Sequence, residues 1–279
     1  MSLVSEFVDD LELRLVAEGH RGDVQPRDAW RTARKRFKRR WLQPAELARP
    51  RFFCQNSGCC GSTYIVELLK DNGIARCFHE KAPDFNQLGV SHYDQPQPFT
   101  RLTSLLRYTR WDVFFEANNR LFSLSRPLAH AFPGARFIHL HRDGRAAVAS
   151  AMSKPDVKSY QQANLRFRGT LAGDHDASPL VRCCRYWNNM NRRILDDLET
   201  LESLHGTHLS LSFDDLVAGR LEKLERFMDC SLDVNRRDAV NQGRVRPAGR
   251  YPAFAQWSAN DQRMFWDICG ETMHRLGYA

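Results

Sequence analysis

From residue 51 onward the chain alternates short apolar runs with longer amphipathic segments. The apolar runs are five to seven residues long and read as buried strands at 51–55, 74–78, 111–117, 136–141 and 207–213. Helices are predicted from the first loop to Lys70, then at about 101–108, 120–132, 180–204 and 260–276. This alternation predicts a single α/β domain with a mostly parallel central sheet flanked by helices.

Two of the predicted strands lead through a short loop directly into a helix start. The first loop ends in Gly-Ser-Thr at 61–63, and the second is Arg-Asp-Gly at 142–144, with Ser150 two helical turns further on. A helix start offers unpaired backbone amides and the positive end of the helix dipole, which suit an anion. Two such starts favour a ligand that carries two phosphate groups.

Composition supports a full hydrophobic core and an anionic ligand. The chain has 279 residues, of which 42% are hydrophobic and 11% aromatic, and its net charge is +8. The charge attracts anions in general and does not choose between nucleic acid, membrane and nucleotide. The acidic N-terminus does not resemble a signal peptide and no segment is apolar enough to span a bilayer, so we expect a cytoplasmic protein.

Residues 1–50 are predicted to form a helical lead-in, and residues 51–279 the main domain. The lead-in contains a basic segment at 31–41, which taken alone could contact nucleic acid or acidic lipid. Its aromatic residues recur at near-helical spacing, which favours a helix that packs on one side and exposes its charges on the other. Nucleic-acid binding is therefore not expected.

The eight cysteines contain no Cys-x-x-Cys pair, which favours reduced, mostly structural thiols over disulfides or a metal site. Cys59 and Cys60 differ from the others because they lie in the first loop, where a helix start can lower the pKa of a thiol. No metal is expected.

The first loop departs from the phosphate-binding pattern G-x-x-x-x-G-K-[ST], because no lysine follows Gly61. This departure counts against ATP or GTP hydrolysis. In the second loop Arg142 can bind a phosphate through two nitrogens and Ser150 can donate a further hydrogen bond. The alternative is that Asp143 only caps the helix and Arg142 pairs with an acid.

Together these motifs resemble the sulfotransferases that use 3′-phosphoadenosine 5′-phosphosulfate (PAPS). The 5′-phosphosulfate loop of that family resembles residues 59–63, and its 3′-phosphate segment resembles the stretch from Arg142 to Ser150. The turn at 213–216 and the last helix are also similar to the family pattern. The resemblance implies a P-loop nucleotide-kinase-like architecture, no metal, and direct transfer of a sulfonate to an unidentified acceptor. It places these residues at the donor: Cys59, Cys60, Gly61, Ser62, Thr63, Tyr64, Arg142, Ser150, Arg244, Arg246 and Arg250.

Two departures from the family pattern matter for function. Cys59 stands where the family usually has a lysine or arginine that contacts the sulfonate. Either another cation replaces it, with Lys81 and Arg142 the nearest candidates, or the activity is impaired. Gly144 replaces a proline, which is expected only to loosen the first helical turn.

The acceptor must lose a proton, so a base is expected beside it. His79 and Glu80 follow the second strand, where open α/β sheets bind ligands. The resemblance favours Glu80, with His79 second; Glu116 is a third candidate that could equally cap a helix. The alternative functions are a nucleotide-dependent phosphotransferase and a catalytically impaired protein that binds a 3′,5′-bisphosphonucleotide.

Overall fold

The computed structural model describes residues 50–74, 76–80, 113–132, 134–154, 177–202, 207–233 and 251–278. The predicted lead-in, the predicted helix at 101–108 and the candidate site residues Lys81, Arg244, Arg246 and Arg250 lie outside these ranges. The strands are β1 (Arg51–Gln55), β2 (Cys77–His79), β3 (Phe114–Ala117), β4 (Ala135–His141) and β5 (Thr207–Ser212). The α-helices are α1 (Ser62–Asp71), α2 (Ser125–Ala131), α3 (Gly144–Met152), α4 (Pro179–Glu202), α5 (Phe213–Val217), α6 (Glu222–Met228) and α7 (Ala259–Arg275).

The described strands form one sheet in the order β2-β3-β1-β4-β5, and every neighbouring pair is parallel. The predicted fold class, a single α/β domain with a parallel sheet and flanking helices, is confirmed. Because β1 lies between β3 and β4, its carboxyl end is flanked by the segments that follow both neighbours. This edge is where open parallel sheets bind their ligands.

Both faces of the sheet are covered, as the continuous apolar strands predict. Phe53 points to one face, where it packs with Phe137 of β4 and with Tyr186 of α4. Phe52 points to the other face, where α1 and α6 cover it. A third apolar cluster joins α3, α4 and α7 and contains Trp187 and Met273. Within the described ranges no helix is long and apolar enough to cross a membrane.

Several element boundaries differ from the sequence prediction. The strand predicted at 74–78 begins only at Cys77, because the Ile74 amide still donates to Leu69 at the end of α1 and Arg76 has a left-handed φ of 71°. The strand predicted to 213 ends at Ser212, whose hydroxyl accepts from the Asp214 amide and starts α5.

The helix predicted at 120–132 is divided in two. A 3-10 helix spans Asn119–Ser123, with the Asn118 side chain accepting from the Arg120 amide, and α2 follows it. Pro127 lies in the first turn of α2, where its missing N–H is not needed. The division places Asn118 and Arg120 beside the end of β1 instead of inside a regular helix.

Candidate active site

The loop after β1 is held in a compact shape by its own polar groups. The Asn56 carboxamide oxygen accepts from the Gly58 amide at 2.9 Å, and the Cys60 thiol donates to the Gly58 carbonyl at 2.9 Å. Gly58, Cys59 and Gly61 all have left-handed φ angles, which turn the chain sharply into α1. No described side chain caps the start of α1, so the Ser62 and Thr63 amides stand at an open helix start suited to an anion.

The two adjacent cysteines of the loop have different surroundings. Cys60 is fully buried, and burial raises the pKa of its thiol to about 11, so the expectation of a lowered pKa is wrong for this residue. Cys59 is half-buried, and its carbonyl oxygen accepts from Arg142 Nη1 at 3.3 Å. All eight cysteines are free thiols, and Cys60 serves the packing of the loop.

Arg142 follows β4 and reaches across to this loop. Its guanidinium lies over the ring of Phe213, 4.9 Å from the centroid. A Cβ atom placed on Gly61 would overlap that same ring, and Tyr64 packs edge-on against it at 6.0 Å. The Nε atom of Arg142 is buried, and no acceptor for it lies among the described residues. The β1–α1 loop, the Arg142 guanidinium and the Phe213 ring therefore form one surface at the carboxyl edge of the sheet.

Asp143 caps the start of α3, as the alternative interpretation of this loop predicts, so the two helix starts differ. The Asp143 carboxylate accepts from the Arg145 amide at 2.8 Å and pairs with its guanidinium, and the Gly144 amide donates to Met273 Sδ at 3.4 Å. These contacts occupy the first amides of α3. What remains for an anion on this side is the Arg142 side chain and the hydroxyl of the half-buried Ser150.

Gly144 has a packing role that the sequence did not reveal. A Cβ atom at this position would lie 3.0 Å from the Trp187 ring and 3.1 Å from Met273 Sδ. The expectation that glycine only loosens the first turn is therefore wrong, because the absent side chain allows α4 and α7 to approach the start of α3.

His79 lies at the end of β2 beside the start of α1. Its Nε2 is 2.9 Å from Ser62 Oγ and 3.5 Å from Thr63 Oγ1. Glu80 is exposed, has a left-handed φ of 52° and donates its amide to the Ala117 carbonyl at 3.1 Å. The structure thus places both base candidates near the β1–α1 loop.

Glu116 is fully buried in β3, where it accepts from the Asn118 carboxamide at 3.1 Å. It does not cap the helix that follows, because Asn118 is the cap there. Tyr186 of α4 is a residue that the sequence did not single out. Burial raises the pKa of its phenol, and the charges of Cys59 and Glu80 raise it further.

Sequence reasoning also missed the roles of Phe213 and of the C-terminal Tyr278. Phe213 was recognised as part of a strand-end motif but not as a wall of the site. Tyr278 ends the C-terminal segment that resembles the family pattern, but the sequence does not indicate that its hydroxyl contacts His141, the residue before Arg142. That adjacency could be found only from the packing.

The described residues hold no group of three or more His, Cys, Asp or Glu side chains arranged for a metal ion.

Comparison with known proteins now identifies the family. A family model described as "Sulfotransferase family" matches residues 14–234. Among solved structures, the sulfotransferase domain from the curacin biosynthetic pathway has a similar fold, with a TM-score of 0.51 and 13% identity over 83% of this chain and 98% of that domain. A sulfotransferase domain from the Synechococcus PCC 7002 olefin synthase covers 78% of this chain and 86% of its own, with 16% identity and a TM-score of 0.40.

No curated protein matches the chain. At 13% identity the curacin-pathway domain bears on the fold alone, and the family model, which spans most of the chain, carries the assignment. The predicted resemblance to sulfotransferases is confirmed. The protein belongs to the sulfotransferase family and is a sulfotransferase.

Proposed function

We propose that the protein transfers a sulfonate from PAPS to a hydroxyl or amine of an acceptor that is a small molecule, a carbohydrate or a glycolipid. In this reaction the bond between sulfur and the leaving phosphate oxygen breaks while sulfur bonds to the acceptor. The acceptor proton passes to a base on the protein, and adenosine 3′,5′-bisphosphate leaves. The predicted cytoplasmic location stays a prediction.

One observation carries this proposal: Arg142 lies against the loop that opens into α1, at the shared carboxyl edge of β1 and β4. In the proposed complex the open start of α1 binds the 5′-phosphosulfate, and Arg142 with Ser150 binds the 3′-phosphate. Phe213 then lies between the two phosphate positions. Outside the described residues, Arg244, Arg246 and Arg250 are proposed to close over the 3′-phosphate.

Glu80 is the proposed base, and His79 the second candidate. His79 lies within hydrogen-bonding distance of Ser62 at the start of α1, so it stands beside the proposed sulfonate position. Glu80 directly follows His79 in the chain and is exposed. Either group in its unprotonated form can accept the acceptor proton directly or through one water molecule.

The absence of a cation at Cys59 supports a second candidate, a protein that binds the bisphosphonucleotide but has lost turnover. Arg142 Nη1 already reaches the Cys59 carbonyl, so this guanidinium is the described cation best placed to serve the loop. The two candidates share the donor site and differ only in whether labelled sulfonate reaches an acceptor. A phosphotransferase instead predicts Mg²⁺-dependent binding of ATP.

Calorimetry with adenosine 3′,5′-bisphosphate, and separately with ATP and Mg²⁺, tests the donor site. We expect preference for the bisphosphate, and a loss of affinity of about tenfold to a hundredfold in Arg142→Ala, since a charge-assisted hydrogen bond contributes about 1.5–3 kcal/mol. Arg136→Ala is the matched control. Arg136 lies in β4, at the end of the strand opposite to Arg142; it stacks on Phe52 at 5.6 Å and donates to the Phe227 carbonyl.

Preference for ATP, or no binding of the bisphosphate, would overturn the proposal. Equal losses in Arg142→Ala and Arg136→Ala would show that the arginines act through the fold rather than through the ligand.

A further inference from the structure

The hydroxyl of Tyr278 lies between the ends of two neighbouring strands. Its oxygen is 2.8 Å from His141 Nδ1, at the last residue of β4, and it donates to Ser212 Oγ, at the last residue of β5, at 3.3 Å. We propose that Tyr278 is a positioning residue of the donor site, which sets Arg142 and Phe213 relative to the phosphate loop. This inference rests on the proposed function, and Tyr278, His141 and Ser212 are called the C-terminal clamp below.

The chain reaches this place because of how α7 ends. Gly277 adopts a left-handed φ of 77° and donates to the His274 carbonyl, and the Tyr278 amide donates to the Met273 carbonyl at 3.0 Å. This is the Schellman arrangement, in which glycine reverses the chain after a helix. It reverses the chain after α7, and the Tyr278 hydroxyl then reaches the ends of β4 and β5.

The hydrogen bonds of the clamp form one continuous chain. A neutral imidazole has one N–H and one accepting nitrogen. Because Tyr278 donates its proton to Ser212, its oxygen accepts from His141 Nδ1–H, and His141 Nε2 accepts from the Ser210 hydroxyl at 3.0 Å. Burial lowers the pKa of His141 to about 4 and raises that of Tyr278, so both groups stay neutral near pH 7.

The residues held by the clamp directly precede the two that shape the site. His141 is followed by Arg142 and Ser212 by Phe213, and the Arg142 guanidinium stacks on the Phe213 ring at 4.9 Å. Ser212 also caps α5 by accepting from the Asp214 amide at 3.1 Å. A shift between the ends of β4 and β5 would therefore change this stacking and, through the Phe213 contact with Gly61, the loop that opens into α1.

A second tether acts on the other side of Arg142. The Tyr278 carbonyl accepts from Arg145 Nη2 at 3.2 Å, and Arg145 forms the ion pair with Asp143. The residues before and after Arg142 are thus both linked to Tyr278. A backbone restrained on both flanks loses less freedom when the side chain binds a phosphate, which is how preorganisation raises affinity.

The variant Tyr278→Phe removes the hydroxyl and keeps the ring. We expect the affinity for adenosine 3′,5′-bisphosphate to fall about threefold to tenfold, the effect of one hydrogen bond. In the Arg142→Ala background the same change should alter affinity less than twofold, because the group that the clamp positions is gone. Tyr251→Phe is the matched control, since Tyr251 packs on Trp257 at 5.7 Å and is not part of the clamp.

Hydrogen exchange tests the clamp without any ligand. In Tyr278→Phe, peptides that cover 140–146 and 211–216 should exchange faster than in the wild type and in Tyr251→Phe. Unchanged exchange in both peptides, or an equal loss of affinity with and without Arg142, would overturn the inference. If the wild type fails to bind the bisphosphate while exchange responds as expected, the proposed function falls and the clamp stands as a structural feature only.

Discussion

At the scale of single residues, Gly144 shows how an absent side chain decides local packing. The Trp187 ring and Met273 Sδ both lie where a Cβ atom would make contacts of 3.0 and 3.1 Å. Trp187 is buried, so it cannot move aside without disturbing the cluster of α3, α4 and α7. The family-like proline at this position would bring the same clash and would remove the amide that donates to Met273.

We therefore expect Gly144→Ala to lower the free energy of unfolding by about 1–3 kcal/mol, the usual cost of overpacking. Urea unfolding measures the change. Gly270→Ala is the control, because Gly270 lies inside α7 with its nearest Cβ contact at a comfortable 3.6 Å. Alanine there should raise stability by about 0.5–1 kcal/mol. A neutral Gly144→Ala would show that Trp187 has room to shift.

At the scale of elements, the junction between α1 and α5 joins the phosphate loop to the end of β5. Gly61 and Gly73 precede and follow α1, and both have left-handed φ angles, of 86° and 79°. They differ in surroundings, because a Cβ atom at Gly61 would overlap the Phe213 ring whereas nothing lies within 4 Å at Gly73. Alanine at Gly73 therefore measures the cost of backbone strain alone, and alanine at Gly61 measures that strain together with the steric overlap.

Gly73→Ala should lower stability by about 1 kcal/mol through backbone strain alone. Gly61→Ala should lower it further and should reduce the affinity for adenosine 3′,5′-bisphosphate more than tenfold, because displacing Phe213 also displaces Arg142. Urea unfolding and calorimetry on both variants give the comparison. Equal affinities in the two variants would contradict the proposed coupling between loop, ring and cation.

At the scale of the whole molecule, two buried histidines make stability depend on pH. Burial lowers the pKa of His139 to about 3, with the nearby His141, His208 and Arg275 adding to the effect, and burial lowers the pKa of His141 to about 4. In the unfolded chain both titrate near 6.5. Below that pH the unfolded state binds more protons, so stability is full above about 6.5 and is lost as pH falls toward 4.

Each histidine should contribute up to about 1.4 kcal/mol per pH unit in that window. Urea unfolding of the wild type at pH 7, 6 and 5 measures the slope, which should be shallower in His141→Gln. His274→Gln, on the exposed face of α7, is the control and should leave the slope unchanged. A slope that His141→Gln does not alter would mean that His141 accepts a proton in the folded state.

The sequence by itself determined the fold class, the five strands and the family. Continuous apolar runs bounded by helix signals predict strands that are buried on both faces, because such a strand needs apolar side chains at consecutive positions. The loop after β1 is recognisable because a sharp turn into an open helix start needs glycine and small polar residues at defined positions.

Only the tertiary structure decided which distant residues meet at the sheet edge. Each of these contacts joins residues that are far apart in the chain, and no local pattern encodes it. The contacts are those of Phe213 with Gly61, of Trp187 with Gly144, and of Tyr278 with His141 and Ser212. The boundary at Ser212 was missed because its hydroxyl, rather than a propensity, ends the strand. Contacts of this kind depend on strand order and helix packing, which arise from the whole core at once.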